Sequence, residues 1–131
     1  MIVIDASAVV ELILKTELGL KVEARALDPI ERLHAPHLLD LEVAQVLRRL
    51  VMLREVTVRR AQEALEDHAA LLIERPGHHD LLSRIWRLRD SLSAYDAAYV
   101  FLGEALNAPV LTCDGKLARS HGHTARIELI D

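Results

Sequence analysis

One aspartate lies inside an otherwise apolar helical pattern, SAYDAAYVFL at residues 93–102. On a helix, Asp96 has Tyr99 and Val100 one turn away, so its carboxylate points along a mostly apolar face. An ionised group is costly there unless a cation or a hydrogen bond compensates its charge. A bound cation is one such compensation. The other is a capping box, in which Ser93 is the N-cap and Asp96 bonds back to it.

Three further acids, Asp5, Glu42 and Asp114, complete a set of four that suits a metal site. Two carboxylates about 4 Å apart repel by about 4 kcal/mol at an effective dielectric of about 20, so grouped acids need protons or cations. Carboxylate oxygens suit Mg²⁺ or Mn²⁺, and the His and Cys clusters typical of zinc sites are missing. A divalent ion held in this way binds phosphate oxygens, generates hydroxide from water and stabilises an in-line displacement. Ser7 and Thr112 flank two of the acids, and we expect them to orient these acids or a bound water.

Each of the three further acids also has an ordinary structural interpretation. Asp5 caps a helix that begins at the next residue, and Asp114 and Gly115 form a common turn pair. Glu42 is a solvated helix residue, although Leu38 and Val46 one turn away make that setting less comfortable. Taken together, four such acids favour the metal site.

The elements that must position these acids alternate along the chain. Short apolar runs predict strands at residues 2–5, 33–35, 71–74, 108–112 and 126–130. Helical patterns lie at residues 6–14, 18–27, 37–53, 79–89 and 115–120, with further helices after Thr57 and Ser93. Strands separated by helices imply right-handed crossovers. We therefore expect an α/β fold, a three-layer α/β/α sandwich with a mainly parallel central sheet.

In such sheets, reactive groups collect beyond the carboxyl ends of the strands. Asp5 ends the first predicted strand, and Asp114 follows the fourth by two residues. Glu42 lies early in the helix after the second strand. The helix of Asp96 leads into the fourth strand, so its first turn begins at the same edge. The four carboxylates are therefore predicted to converge on one rim of the sheet.

The composition fits one domain over residues 1–131 and excludes several classes of protein. Hydrophobic residues make up 51% of the chain and aromatic residues 3%, so the core is predicted to be aliphatic. The net charge of −4 argues against a passive nucleic-acid coating protein. Cys113 is the single cysteine, so no disulfide forms within the chain. We read no signal peptide and no membrane span, and we expect a cytoplasmic protein.

Four segments resemble the PIN-domain ribonucleases, and most of all the VapC-type toxins of bacterial toxin–antitoxin pairs. The segments appear in the expected order: VIDAS at 3–7, PHLLDLE at 36–42, SAYDAAYV at 93–100 and LTCDGKLA at 111–118. The resemblance implies Mg²⁺-dependent cleavage of RNA, with Mn²⁺ able to substitute. It also implies a homodimer and inhibition by a cognate antitoxin protein. By the same resemblance, Asp5 and Asp96 are the principal metal ligands, and Glu42 and Asp114 complete the acidic pocket.

Two positions depart from the pattern of that family. Gln45 stands one turn after the helix glutamate, where many relatives have Asn. Lys116 stands two residues after the final aspartate, where some relatives carry another acid. Both departures concern the number and placement of the metal ions, and neither removes the core ligands.

A basic strip precedes the helix of Asp96. Arg84, Arg87 and Arg89 are candidate contacts to RNA phosphates, or alternatively a solvated basic face. Trp86 in the same strip is expected in the core or in a subunit contact. Strand alternation turns Cys113 away from Thr112, which predicts a small buried hydrophobic residue rather than a nucleophile.

Two other functions stay open at the level of the sequence. One is a binding module that keeps the PIN fold without activity, and Gln45 leaves room for it. The other is a receiver-like or phosphatase-like domain that forms an aspartyl phosphate on Asp5. Against it, Ser7 stands where a haloacid-type phosphatase would place its second aspartate.

Overall fold

Five short strands form a parallel sheet that crosses the molecule. The computed structural model describes residues 1–131, and every strand pairing in it is parallel. The sheet order is β3-β2-β1-β4-β5, with bounds β1 Ile2–Ile4, β2 Leu33–His34, β3 Ile73–Glu74, β4 Val110–Thr112 and β5 Ile127–Leu129. The predicted parallel sheet of an α/β fold is confirmed.

Seven helices connect the strands. Their bounds are α1 Ala6–Leu14, α2 Glu17–Ala26, α3 Leu38–Met52, α4 Val58–Ala70, α5 Leu82–Arg87, α6 Ala94–Leu106 and α7 Gly115–Ala118. Thr57 and Ser93 cap α4 and α6 as predicted, because each hydroxyl accepts a backbone N–H three residues on. The helix predicted at 79–89 is split into a 3₁₀ turn at His79–Leu81 and the short α5.

The helices cover both faces of the sheet. The connections from β1 to β2 and on to β3 run in one direction across the sheet and carry α1 to α4. The connections from β3 to β4 and on to β5 run in the other direction and carry α5 to α7. Because such crossovers are right-handed, the two groups lie on opposite faces. The packing agrees, since α1 contacts α2, α3 and α4, whereas α6 contacts α5.

The strand order changes direction between β1 and β4. The chain runs outward from β1 to β2 and β3, then returns to place β4 on the other side of β1. Such a switch point opens a crevice at the carboxyl ends of the two strands, where ligands of open α/β sheets bind. Receiver domains have the different order β2-β1-β3-β4-β5, so this topology does not match the receiver-like alternative.

A hydrogen-bonded cluster anchors the first turn of α3. Asp40 accepts from His68 Nε2 of α4 at 2.7 Å. It also accepts both Nε and Nη2 of Arg75, which follows β3, at 2.9 and 2.8 Å. These contacts with Arg75 and, to a smaller extent, His68 hold the pKa of the Asp40 carboxyl below its ordinary value. The start of α3 is thereby fixed to α4 and to the edge of the sheet.

Trp86 lies at the surface of the chain. The residue is 67% exposed, so it does not join the core of the chain, and its other predicted position, a subunit contact, stays a prediction. The small core under α5 and α6 is built instead from Ile85, Leu88 and Phe101 with two alanines. On so short a helix, one apolar side is enough to cover α6, which leaves Trp86 on the outer side.

None of the helices combines the length and the apolar character that crossing a bilayer requires.

Gly19 sits where α2 crosses closest to α1. A Cβ added there would lie 2.1 Å from the carbonyl oxygen of Glu11, which is backbone and has little freedom to move. We predict that Gly19→Ala destabilises the protein by about 1–3 kcal/mol through overpacking. Urea denaturation measures this change. Gly77→Ala is the matched control, because nothing lies within 4 Å of its added Cβ. Equal stability of both variants would contradict the prediction.

Candidate active site

The four predicted acids, Asp5, Glu42, Asp96 and Asp114, are called the acidic rim below, and Asp5 is the one at the end of β1. It directly follows β1 and caps α1, where its Oδ1 accepts from the N–H of Ala8 at 3.0 Å. The same oxygen accepts from Ser7 Oγ at 2.7 Å, and Oδ2 accepts from Thr112 Oγ1. The side chain is thus a helix cap as well as part of the rim, and only 6% of the residue is exposed.

Two hydroxyl groups join the ends of β1 and β4 around this carboxylate. Ser7 Oγ accepts from the N–H of Cys113 at 2.9 Å, and Thr112 Oγ1 accepts from the N–H of Asp114 at 2.9 Å. The two oxygens lie 3.2 Å apart. Ser7 and Thr112 therefore fix the orientation of Asp5 and the turn that carries Asp114.

The environment of Asp5 disfavours its charge. Burial raises the pKa of its carboxyl above the ordinary value, and the nearby charge of Asp114 adds to the effect. The hydrogen bonds from Thr112, Ser7 and Ala8 act in the opposite direction but leave the pKa raised. The structure thus concentrates negative charge where water cannot stabilise it.

Glu42 reaches the same region from the second turn of α3. It is half-buried, and its Oε1 accepts from the hydroxyl of Tyr99 at 2.7 Å. Burial raises the pKa of Glu42, and the charges of Asp96 and Asp5 raise it further. Its Oε2 has no hydrogen-bond partner in the protein, so one carboxylate oxygen is positioned and the other is free.

Tyr99 was not singled out by the sequence reasoning. The residue is 2% exposed, and its hydroxyl contacts Glu42 from α6. A signal was present, because Tyr99 follows Asp96 by three residues and therefore lies on the same side of the helix. A buried tyrosine hydroxyl usually has a polar partner, and the acids predicted on the same side of the helix are candidates for it.

Asp96 lies in the first turn of α6. Its N–H donates to Ser93 Oγ at 3.1 Å, which forms half of the predicted capping box. Burial raises the pKa of its half-buried carboxyl, and the charge of Asp114 raises it further, while Ser93 and Lys116 act against this. The cap explains the backbone of Asp96 but does not remove the unfavourable environment of its side chain.

Asp114 completes the group. It caps α7, where its Oδ1 accepts from the N–H of Lys116 at 2.8 Å. Its charge acts on both Asp5 and Asp96, while Asp5 and Asp96 both act on Glu42. The four predicted acids therefore lie near enough for their charges to act on one another, although no three of them form a compact cluster.

No basic side chain forms an ion pair with this group, and Lys116 offsets the charge of Asp96 only in part. None of the four acids forms an ion pair within 4 Å, whereas Asp40, Glu31 and Glu128 elsewhere all do. No three His, Cys, Asp or Glu side chains stand together as a ready-made ligand cluster, so this is an open rim of carboxylates. Hard oxygen donors without an ion-pair partner, among them the carboxyls of Asp5, Glu42 and Asp96 with their raised pKa values, fit a divalent cation such as Mg²⁺ or Mn²⁺.

The basic strip and the cysteine lie outside this group. Arg84, Arg87 and Arg89 are exposed, and Arg89 stacks over the ring of Trp86 with its guanidinium carbon 5.0 Å from the centroid. Their contact with RNA stays a prediction. Cys113 is half-buried at the margin of the core, and burial raises its pKa to about 11, which suits a structural residue rather than a nucleophile.

Comparisons with known proteins agree with this architecture. The family model of the PIN domain matches residues 2–121. Ribonuclease VapC12 of Mycobacterium tuberculosis is 39% identical over 130 residues, which are 99% of each chain. Ribonuclease VapC9 of the same organism is 42% identical over 118 residues, which are 90% of this chain and 89% of the relative.

A solved structure shares the fold. PAE2754 from Pyrobaculum aerophilum superposes with a TM-score of 0.61 at 22% identity, over 89% of this chain and 83% of that one. The sheet topology, the acidic rim and the relatives over almost the full length lead to the same conclusion: this chain belongs to the PIN-domain family, among the relatives of the VapC ribonucleases.

Proposed function

We propose that this chain is a metal-dependent endoribonuclease that hydrolyses RNA phosphodiester bonds and acts in the cytoplasm as the toxin of a toxin–antitoxin pair. We take its 131 residues as one nuclease domain. The observation that carries the proposal is the group of four carboxylates at the switch point, none of which forms an ion pair with a basic side chain. The names of the relatives, which are ribonucleases, support the same activity.

Mg²⁺ is the proposed metal, and Mn²⁺ is expected to replace it. Asp5 and Asp96 would be the principal ligands, with Glu42 and Asp114 completing the pocket. When bound, the ion supplies a Lewis acid for the scissile phosphate and lowers the pKa of a water molecule. The raised pKa values of Asp5, Glu42 and Asp96 support this assignment, because a divalent cation would remove the repulsion that contributes to them.

The residues around the acids would orient them before substrate binds. Thr112, Ser7 and the N–H of Ala8 hold both oxygens of Asp5, so this ligand loses little freedom on binding. Tyr99 holds Oε1 of Glu42, and the free Oε2 would accept a proton from the attacking water or bind the ion. The nucleophile in this proposal is water. A phosphorylated aspartate fits poorly, because the strand order differs from that of receiver domains.

The proposal includes two protein partners, a second copy of the chain and a cognate antitoxin. Large apolar side chains on the outer surfaces of α3 and α4 support an interaction with other proteins. Leu41 and Met52 of α3 are 75% and 68% exposed, and Val58 of α4 is 61% exposed. Met52 and Val58 line one groove between α3 and α4, and exposed apolar surface of this kind often marks a protein interface.

The activity is tested with purified protein and a labelled RNA. We predict that wild-type protein cleaves the RNA with Mg²⁺ or Mn²⁺ and stops when EDTA is added. Asp5→Asn and Asp96→Asn should each lower the cleavage rate by at least about a hundredfold, the upper end of the loss caused by removing an outer-shell partner. Glu66→Gln, an exposed acid on α4, is the control and should cleave normally. Cleavage by Asp96→Asn as fast as by wild type would contradict the assignment of Asp96 as a metal ligand. A wild-type protein that never cleaves RNA would favour the inactive binding module.

Asp5 should also lower stability when no metal is present. Its folded-state pKa is raised, so the ionised carboxylate destabilises the fold at neutral pH, and this cost disappears as the pH falls below both the folded and the unfolded pKa. We predict that Asp5→Asn has a higher Tm than wild type in EDTA at neutral pH, and that the difference vanishes in acid. Added Mn²⁺ should raise the Tm of wild type and leave that of Asp5→Asn unchanged. A lower Tm for the variant in EDTA would contradict the interpretation.

Tyr99 should act as a positioning residue for Glu42. We predict that Tyr99→Phe weakens Mn²⁺ binding about tenfold to a hundredfold, the range for loss of an outer-shell partner, because Oε1 of Glu42 loses its donor. Calorimetric titration measures the affinity. Tyr95→Phe on the same helix is the matched control, since that side chain is 67% exposed and its hydroxyl has no partner. The two variants binding Mn²⁺ alike would show that Tyr99 only fills space.

A further inference from the structure

A polar cleft opens directly beside Asp96. Its volume is about 340 Å³, and only one of its lining residues is hydrophobic. One wall is the segment before α6 with the first turn of that helix, and the other wall is α7 with the residues after it. The residues that line it include Ser91, Asp96, Lys116, Arg119 and His121. The cleft is therefore continuous with the acidic rim and differs from it in charge.

Two cations on the α7 side have no partner in the protein. Lys116 and Arg119 are both exposed, and neither side chain forms a hydrogen bond or an ion pair within 4 Å. Two other arginines are paired within the protein: Arg25 binds Glu128 and Glu31, and Arg75 binds Asp40. Lys116 and Arg119 are therefore free to bind an anion from outside the protein, just as the neighbouring acids are free to bind a cation.

The two cations lean toward the rim. A Cβ added to Gly115 would lie 2.9 Å from Nη1 of Arg119, so the guanidinium covers the residue that follows Asp114. The ammonium of Lys116 is close enough to Asp96 to lower the pKa of that carboxyl. By contrast, Arg84, Arg87 and Arg89 do not line the cleft, and Arg89 is occupied by Trp86.

We propose that Lys116 and Arg119 bind a backbone phosphate of single-stranded RNA, next along the strand to the phosphodiester that is cut. This inference rests on the proposed nuclease function. A phosphate diester carries one negative charge and several acceptor oxygens, which matches an ammonium and a guanidinium side by side. The ammonium also shields the phosphate from the carboxylate of Asp96.

The rest of the cleft favours an unpaired strand. Ser91 and His121 offer a hydroxyl and an imidazole on opposite walls, and both are exposed. Such groups hydrogen-bond to, or stack on, the ribose and base of a splayed nucleotide, which a double helix keeps inside its stack. The phosphate subsite therefore fixes the position of the strand, while these neighbours contact the nucleotide beside it.

The test measures RNA binding separately from cleavage. All variants are made in the Asp5→Asn background, and the anisotropy of a fluorescein-labelled single-stranded RNA is followed as salt is varied. Lys116→Gln and Arg119→Gln should each raise Kd about twofold to fivefold, as for exposed ion pairs. The double variant should lower the slope of log Kd against log salt by about 0.7, the value for one phosphate contact on a single strand. Lys116→Arg keeps the charge and should keep the slope.

The double variant Arg48→Gln with Arg49→Gln is the matched control. Both arginines are exposed on α3 and their side chains have no partner, so this variant removes the same two charges from another surface. The inference is overturned if the Lys116 and Arg119 double variant keeps the parental slope, or if the control lowers the slope by as much.

Cleavage assays with Asp5 intact separate this inference from the proposed function. We expect the Lys116 and Arg119 variants to raise KM with little change in kcat, because they position the strand and do not touch the reacting atoms. Metal-dependent cleavage with unchanged KM in these variants would overturn the phosphate subsite and leave the nuclease intact. A lowered salt slope in the double variant, together with a wild type that never cuts RNA, would support the subsite and overturn the nuclease.

Discussion

The acidic site is organised around one buried carboxylate, that of Asp5, at the end of the central strand. Asp5 is almost inaccessible to water, and its two oxygens are held by two hydroxyl groups and one backbone N–H. The same two hydroxyls accept the N–H groups of Cys113 and Asp114, so they also set the turn after β4. The seam between β1 and β4 and the orientation of this carboxylate are therefore one hydrogen-bonded unit, in which each part requires the other.

The parallel sheet explains why further acids gather around this unit. Each crossover returns the chain so that helices begin at the carboxyl edge, where their N-terminal ends carry partial positive charge. Asp5 and Asp114 are N-caps of α1 and α7, and Asp96 lies in the first turn of α6. Helix ends thus offset some of the repulsion among the carboxylates. The raised pKa values of Asp5, Glu42 and Asp96 show that the offset is incomplete, which supports the proposed cation site.

The features that could be predicted from the sequence are those set by local pattern and by sheet topology. Apolar runs bounded by turns predict all five strands, and the rule for parallel sheets predicts that the acids lie at one edge. Features that depend on how helices pack were not predictable in this way. The contact from Tyr99 to Glu42 needs the relative position of α3 and α6, which no spacing within either helix reveals.

The positions of Cys113 and Trp86 differ in part from the predictions for the same kind of reason. Strand alternation predicts a buried Cys113 on the face opposite Thr112. However, β4 ends at Thr112, so the alternation does not extend to the next residue, whose side chain is only half-buried. The amphipathic pattern around Trp86 identified a helix but not its length, and a helix of 6 residues has too little surface to bury a tryptophan as well as Ile85.

Asp40 and Glu42 stand two positions apart on α3 and therefore project from nearly opposite sides of that helix. The first is tied to His68 and Arg75, and the second faces the carboxylates. The contacts of Asp40 with α4 and with the sheet edge hold α3 in place. They therefore also set the position of Glu42 relative to the other acids. A protein bound to α4 would act on the hydrogen bond between His68 and Asp40. Only two side chains and the width of one helix therefore separate the surface of α4 from the acidic rim.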